Sequence, residues 1–238
     1  KIMIQKMISN EAAGIFALAT TISFIIWILE DSVWNAWIPW LYAKISQGEE
    51  KEVAKPWTSV MHMFGILSWV IVMLAPEAIA ILGPAKYRPA VWLIAPMVSG
   101  TFFRFYIYSY SALQNYYKRT QYVAAGTIGT MVLNVILNYV CILNFGYMAA
   151  AYTTAFSYII LLLVQGILEH KITGMVIVPL RKTLLIAVVY GAINLLSMNL
   201  YETAWYFRYA VLILVVVAAA IALRKQMAAV LKMFKKRK

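Results

Sequence analysis

The chain contains 238 residues, of which 63% are hydrophobic and 13% are charged. Soluble domains carry charged residues at about 25%, so this composition excludes a soluble globular protein. The net charge of +12 would favour nucleic acid as a partner of a soluble protein. In an apolar chain the same basic residues orient membrane helices, and no nucleic-acid partner is therefore expected.

Seven long apolar stretches fill nearly the whole chain. A bilayer core of about 30 Å needs about 20 apolar residues in helical form, and most of the stretches reach that length. The sequence therefore predicts an all-α membrane protein, a bundle of about seven transmembrane helices. The predicted spans are residues 12–40, 57–82, 90–113, 122–143, 147–168, 183–200 and 206–223. Residues 1–11 resemble the end of a truncated preceding helix or a connector, and residues 224–238 form a basic tail.

The connectors between these spans differ in charge from one side to the other. If the spans cross the membrane alternately, 15 of the 21 Lys and Arg residues lie on the side of the C-terminus and five on the opposite side. Basic residues concentrate in cytoplasmic connectors, so this split predicts a cytoplasmic C-terminus. The remaining basic residue, Arg104, lies inside the third span.

Arg104 belongs to a polar stripe on the third span. Residues three or four positions apart share one helix face, and the stripe consists of Thr101, Arg104, Tyr108, Ser111 and Asn115. Arg104 lies about 20 Å from the outer end of the helix at about 1.5 Å per residue, too deep to reach water easily. A charge at this depth needs a partner or a water-filled cavity. Two interpretations stay open: Arg104 lines a substrate cavity, or it bonds to a carboxylate or to carbonyl groups for structure alone.

The first span contains two adjacent acidic residues, Glu30 and Asp31, in its predicted cytoplasmic half. Either carboxylate is a candidate partner of Arg104 across the helix interface. Trp27 and Trp34 share a face with Glu30, and they lie too deep for an interfacial aromatic belt. Their rings either line the same cavity or pack in the core, and both alternatives stay open.

The fourth span presents Asn134 and Asn138 on one helix face. Amide side chains inside a membrane commonly bond one helix to another, so we assign these two residues to helix packing. The sequence has one cysteine, no clustered metal ligands and no glycine-rich phosphate loop. We therefore expect no catalytic residue, no metal and no cofactor, and we do not expect an enzyme.

Three segments in the middle of the chain carry a resemblance to a known family. They are a short basic hinge at residues 118–120, the sequence N-V-I-L-N at residues 134–138, and F-G-Y-M-A-A-A-Y-T-T at residues 145–154. Together with G-I-F-A-L-A-T-T-I-S at residues 14–23, they resemble the bacterial polysaccharide and O-antigen flippases of the multidrug/oligosaccharidyl-lipid/polysaccharide superfamily. Where that family often has G-x-x-G-A-A, this chain has Gly146 followed by alanines at 149–151.

The resemblance implies both a fold and a function. Such flippases have two helical lobes around a central cavity and move an oligosaccharide linked to undecaprenyl pyrophosphate across the bacterial cytoplasmic membrane by alternating access. This chain would be the C-terminal lobe of a fourteen-helix transporter and would require an N-terminal lobe. Its further partners would be the lipid-linked substrate, bilayer lipids and the polysaccharide polymerase machinery. Arg104, the one cation deep inside a predicted span, would contact the pyrophosphate.

Two other functions stay open. A drug or metabolite exporter of the same superfamily would use Glu30 or Asp31 to bind cationic substrates. A membrane scaffold that transports nothing would use the polar faces for helix packing alone. The candidate cavity residues are Arg104, Thr101, Tyr108, Ser111, Asn115, Trp27, Glu30, Asp31 and Trp34.

Overall fold

A computed structural model describes residues 1–174 and 177–235, with side chains described up to residue 224. Within these residues the chain forms nine α-helices joined by short connectors. The helices are α1 (Ile2–Met7), α2 (Asn10–Ser46), α3 (Ala54–Met73), α4 (Ala75–Leu82), α5 (Val91–Tyr116), α6 (Thr120–Phe145), α7 (Ala149–Thr173), α8 (Leu180–Ser197) and α9 (Trp205–Lys235). Seven of them, all except α1 and α4, belong to segments long and apolar enough to cross a membrane. The chain is thus an all-α, multi-pass membrane protein.

Each predicted span corresponds to an observed helix, with differences at the ends. α2 begins at Asn10, because the Ser9 hydroxyl caps it by accepting a hydrogen bond from the Ala12 N–H at 3.1 Å. It then continues to Ser46, six residues beyond the predicted end. α9 extends past the predicted span to Lys235, so the tail predicted from residue 224 onward begins as a continuation of this helix.

The predicted span 57–82 is two helices rather than one. α3 ends at Met73, and α4 begins at Ala75 with Pro76 in its first turn. Proline has no N–H, and its ring clashes with the carbonyl four residues earlier, so a single continuous helix is disfavoured here. The membrane crossing is consequently the segment Glu50–Met73, and α4 lies at its outer end by the predicted topology.

α5 is the central helix of the bundle. It packs against α2, α3, α7 and α8, and 72% of its most apolar 18-residue stretch is buried. Gly100 of α5 lies against the backbone of Ala155 in α7, so these two helices approach closely. The corresponding buried shares are 6% for α6 and 11% for α9, which places these helices at the periphery.

Hydrogen bonds between side chains join α6 to α7. The Asn134 side-chain NH2 donates to the Ser157 hydroxyl at 3.1 Å, and the Thr153 hydroxyl donates to Asn138 Oδ1 at 2.6 Å. The Asn138 side-chain NH2 also donates to Asn134 Oδ1 at 2.8 Å. Both asparagines therefore lie in a helix interface, where their amides find partners away from lipid.

α3 and α8 are joined by a second set of polar contacts. His62 and the Tyr190 hydroxyl lie 3.2 Å apart, and the Trp69 indole donates to the Ser197 hydroxyl at 2.8 Å. The Tyr190 ring packs directly on Gly65, where an added Cβ would come within 2.6 Å of the ring. This close approach requires glycine, and it fixes the position of α8 on α3.

Candidate functional site

The central helix exposes a single stripe of residues. Between residues 93 and 115 of α5, every side chain is buried except those spaced three or four positions apart on one face. These residues are Met97, Thr101, Arg104, Tyr108, Ser111 and Asn115. The most buried helix of the bundle thus leaves open the polar stripe that the sequence predicts, together with Met97.

A cavity of about 340 Å³ opens on this stripe, between α2, α5 and α7. Its wall combines hydroxyl groups with aromatic rings and has one charged side chain, Arg104, among its lining residues. The hydroxyls come from Thr20, Ser23, Thr101 and Thr154, and the rings from Phe16, Phe24, Trp27 and Tyr158. Such a mixture of flat apolar faces with a few polar groups is typical of ligand-binding cavities.

Arg104 forms an ion pair with Glu30 of α2. Its Nη2 atom donates a hydrogen bond to Glu30 Oε2 at 2.9 Å. The Glu30 side chain is only 1% exposed, whereas that of Arg104 is 22% exposed. The guanidinium also lies 5.6 Å from the Trp27 ring centroid and 5.5 Å from that of Tyr108. The carboxylate therefore lies behind the arginine, and the cation faces the cavity.

The ion pair lowers the cost of a charged arginine inside the membrane and leaves some of the arginine's hydrogen-bond donors free. Glu30 compensates the charge of Arg104, which lowers the cost of placing either group at this depth. A guanidinium has five N–H donors, and the bond to Glu30 engages one carboxylate oxygen. The other oxygen, Oε1, has no hydrogen-bond partner among the described residues. Arg104 is held in place by Glu30 and can still donate to an anion in the cavity.

The structure distinguishes the two acidic residues of α2. Glu30 points toward α5, whereas Asp31 is exposed on the surface of the helix. Adjacent helix residues differ by about 100° in direction, since one turn contains 3.6 residues, so only one of them can face Arg104. Asp31 thus forms no part of the ion pair and does not line the cavity.

Trp27 and Trp34 lie in different environments. Trp27 lines the cavity and is 41% exposed. Trp34 is 5% exposed and packs in an aromatic core against Trp57 and Phe105, with ring centroids 5.7 and 5.2 Å away. The prediction that Trp34 lines the cavity is therefore corrected: its ring packs in the core and holds α2 against α3 and α5.

The predicted stripe continues beyond the cavity. Thr101 and Arg104 line the cavity, and Tyr108 covers one side of the guanidinium. Ser111 and Asn115 lie one and two turns further along the same exposed face, toward the predicted cytoplasmic end, and do not line the cavity. These two residues therefore extend the polar surface of α5 rather than the cavity wall.

Part of the cavity wall is contributed by α7, on which the sequence analysis placed no candidate cavity residue. Ala151, Thr154 and Tyr158 follow one another at spacings of three and four residues and line the cavity together. Thr20 and Phe24 of α2 were likewise missed. The spacing of Thr154 and Tyr158 was visible in the sequence, but nothing in it indicated that this face of α7 meets α2 and α5.

Comparisons with protein-family models, curated proteins and solved structures found no significant match to this chain. Among the side chains that the structure describes, in residues 1–174 and 177–224, no group of three or more His, Cys, Asp or Glu residues is arranged to hold a metal ion. The cavity and the ion pair are therefore the features of the chain that indicate a function.

Proposed function

We propose that this chain belongs to a flippase that moves a lipid-linked oligosaccharide across the bacterial cytoplasmic membrane, with Arg104 contacting the pyrophosphate of the substrate. The observation that carries the proposal is the placement of Arg104 in the wall of a cavity, on the one exposed stripe of the central helix. An arginine fixed by a buried carboxylate presents a positive charge and several donors at a defined point.

The same stripe is an argument for a second lobe in the proposed transporter. Ser111 and Asn115 extend it beyond the cavity, and polar side chains of a membrane helix face protein or water rather than lipid. In the proposed transporter a preceding bundle of helices would face this stripe and complete the cavity. Transport sites commonly lie between two such repeats, near the middle of the bilayer.

The chemistry of the cavity suits the head of a glycolipid. Threonine hydroxyls can exchange hydrogen bonds with sugar hydroxyls, and the rings of Trp27 and Tyr158 offer flat apolar faces. The volume of about 340 Å³ corresponds to a small-molecule pocket, enough for part of an oligosaccharide. The prenyl chain would remain in the bilayer, because apolar chains gain nothing by entering a polar cavity.

The orientation of the protein is part of this proposal. The split of 15 basic residues against five supports a cytoplasmic C-terminus. With this orientation, Ser111 and Asn115 lie nearer the cytoplasmic end of the stripe than Arg104. A substrate entering from the cytoplasmic leaflet would therefore pass them before its pyrophosphate reaches the arginine.

A drug exporter of the same superfamily is the second candidate, favoured by one observation. Asp31 is exposed one residue after Glu30, and it could bind a cationic substrate. Glu30 is unsuited to that role, because its carboxylate is buried and engaged by Arg104. Loss of drug resistance in an Asp31→Asn variant with normal polysaccharide export would favour this candidate.

The test of the flippase uses two matched double variants of the full-length protein in its native cell. Glu30→Gln with Arg104→Gln removes both charges and keeps groups that can hydrogen-bond across the same interface. Glu77→Gln with Arg208→Gln makes the same change at an ion pair between α4 and α9 that does not line the cavity. We expect the first variant to reach the membrane at normal level and to lose surface polysaccharide, and the second to export normally.

The measurements are surface polysaccharide by immunoblot and protein level in isolated membranes. Normal export by the variant with Gln at 30 and 104 would refute the role of Arg104. Loss of export in both variants at normal protein level would show that the assay responds to ion-pair removal in general, which also counts against the proposal.

A further inference from the structure

A second cavity lies at the end of the bundle where α3 and α8 begin. Its volume is about 360 Å³, and it shares no lining residue with the Arg104 cavity. The residues that carry its chemistry are Lys55, Thr58, Ser59 and His62 of α3 and Lys182 of α8. Two ammonium groups, a histidine and two hydroxyls thus converge from two helices, and no acidic residue lines the cavity.

The two lysines are not neutralised by carboxylates. Neither Lys55 nor Lys182 has an ion-pair partner among the residues that the structure describes, and the remaining residues of the sequence include no Asp or Glu. Glu49 and Glu52, on the connector that precedes α3, both bind Lys44 instead. The positive charge of this cavity is therefore available to an anion.

The backbone adds to this charge. The cavity lies at the N-terminus of α8, whose first turn has no side-chain cap. The free N–H groups of a helix N-terminus carry a partial positive charge and favour anions. The start of α3 adds less, because it follows directly on a 3-10 turn at Glu50–Glu52 and contains Pro56, which has no N–H. The N-terminus of α8 and the two lysines therefore act in the same direction at one place.

The walls of the cavity are fixed by contacts deeper in the bundle. The bond between His62 and Tyr190 and the packing of Tyr190 on Gly65 hold α3 and α8 together just beyond the cavity. Thr183, next to Lys182, is fully buried. A ligand would therefore meet a site that is already formed, and would lose little affinity to ordering of the protein.

We propose that this cavity binds the phosphate group of an anionic membrane lipid. It lies at the ends of membrane-spanning segments, on the side whose connectors carry most of the basic residues, which is the level of lipid headgroups. Basic pockets between transmembrane helices on that side are suited to such headgroups. A bound phosphate would bridge Lys55 of α3 and Lys182 of α8 and stabilise the contact between these helices. The proposal does not depend on what the protein transports.

Binding is tested on the full chain purified in neutral detergent, by native mass spectrometry with added phosphatidylglycerol or phosphatidylcholine. Wild-type protein should bind phosphatidylglycerol preferentially, and its thermal unfolding midpoint should rise with that lipid. The Lys55→Gln/Lys182→Gln variant should bind phosphatidylglycerol about 25-fold more weakly, since one basic residue at a charged membrane surface contributes about fivefold. Its midpoint without lipid should equal that of wild type, because both lysines are exposed.

The matched control is Lys51→Gln/Arg119→Gln, which removes two exposed charges on the same side that do not line the cavity. This variant should bind phosphatidylglycerol nearly as wild type does. Equal weakening in the two variants would overturn the site, since it would mean general attraction to a basic surface. Stabilisation of wild type by inorganic phosphate alone, equal to that by the lipid, would overturn the assignment to a lipid.

Discussion

Among the residues that the structure describes, two arginine–glutamate pairs are arranged in opposite ways. In the pair between α2 and α5, Glu30 is 1% exposed and Arg104 is 22% exposed. In the pair between α4 and α9, Arg208 is 5% exposed and Glu77 is 31% exposed. The first pair therefore presents a cation to its surroundings and the second presents an anion, although both consist of the same two residue types.

The difference shows that an ion pair inside a membrane protein can be asymmetric, with one member buried and the other exposed. The buried member lowers the cost of holding its partner in place, and the exposed member determines which ligands the site attracts. At the central cavity this arrangement favours an anionic group such as a phosphate. The pair of Glu77 and Arg208 exposes its carboxylate and does not favour an anion, so it is a natural control for the first pair.

The largest expected effect concerns stability when one member of a pair is removed. Arg104→Ala leaves the Glu30 carboxylate buried without a partner, which should lower the free energy of unfolding by about 3–5 kcal/mol. Glu30→Ala leaves an arginine that reaches the cavity, and the loss should be smaller, about 1–3 kcal/mol. The order should reverse at the other pair, where Glu77→Ala leaves the buried Arg208 without a partner and Arg208→Ala leaves a glutamate side chain that is 31% exposed.

Chemical unfolding of the four variants in detergent measures these differences. If removal of either member of a pair lowered the free energy of unfolding equally, the proposed asymmetry of the pairs would be contradicted. The expected instability of Arg104→Ala is also the reason for testing export with paired glutamine substitutions, because loss of polysaccharide in the single variant could follow from loss of the protein.

An exchange of the two charges separates ion pairing from anion binding. Glu30→Arg combined with Arg104→Glu keeps the pair but presents a carboxylate to the cavity. We expect near-normal protein in the membrane and export lowered by at least about tenfold, since charged hydrogen bonds to the substrate are lost. The same exchange at Glu77 and Arg208 should leave export unchanged. Full export by the first exchange would show that Arg104 acts only as the partner of Glu30.

The smallest expected effect concerns the aromatic rings beside each arginine. The Arg104 guanidinium lies 5.6 Å from the ring centroid of Trp27, and that of Arg208 lies 5.8 Å from the ring of Tyr209. Trp27→Leu should weaken export by a factor between about two and thirty, the range of a cation–π contact. Tyr209→Leu should leave export unchanged and serves as the control. Identical export in Trp27→Leu and wild type would remove Trp27 from the site.

Hydropathy and helical periodicity predicted the membrane spans and the polar stripe of α5, because both depend on residues close together in the sequence. All five predicted residues of the stripe lie on the open face of α5, which also contains Met97, since one helix face follows directly from spacings of three and four. The break between α3 and α4 could have been predicted from Pro76. The hydropathy of the surrounding residues obscured it, because an apolar stretch continues across the break.

The cavity itself depends on how three helices meet, and this the sequence did not determine. Glu30 and Asp31 were equivalent as candidates until the packing of α2 on α5 selected one direction. Trp34 was ambiguous for a similar reason, since a tryptophan in a cavity and one in a core follow the same helical spacing. Tyr158 was missed because it lies on α7, among residues that also pack tightly against α5 and α6.

The pairing of Arg104 with Glu30 has a consequence for the synthesis of the protein. The α5 segment has a mean hydropathy of 1.4, against 2.2 for the segment of α2, and an arginine at the centre of a helix opposes insertion by about 2.5–3.5 kcal/mol. Glu30 is translated 74 residues before Arg104, so α2 leaves the ribosome before α5. We therefore expect α5 to enter the membrane efficiently only after α2, with the earlier helix acting as its partner during insertion.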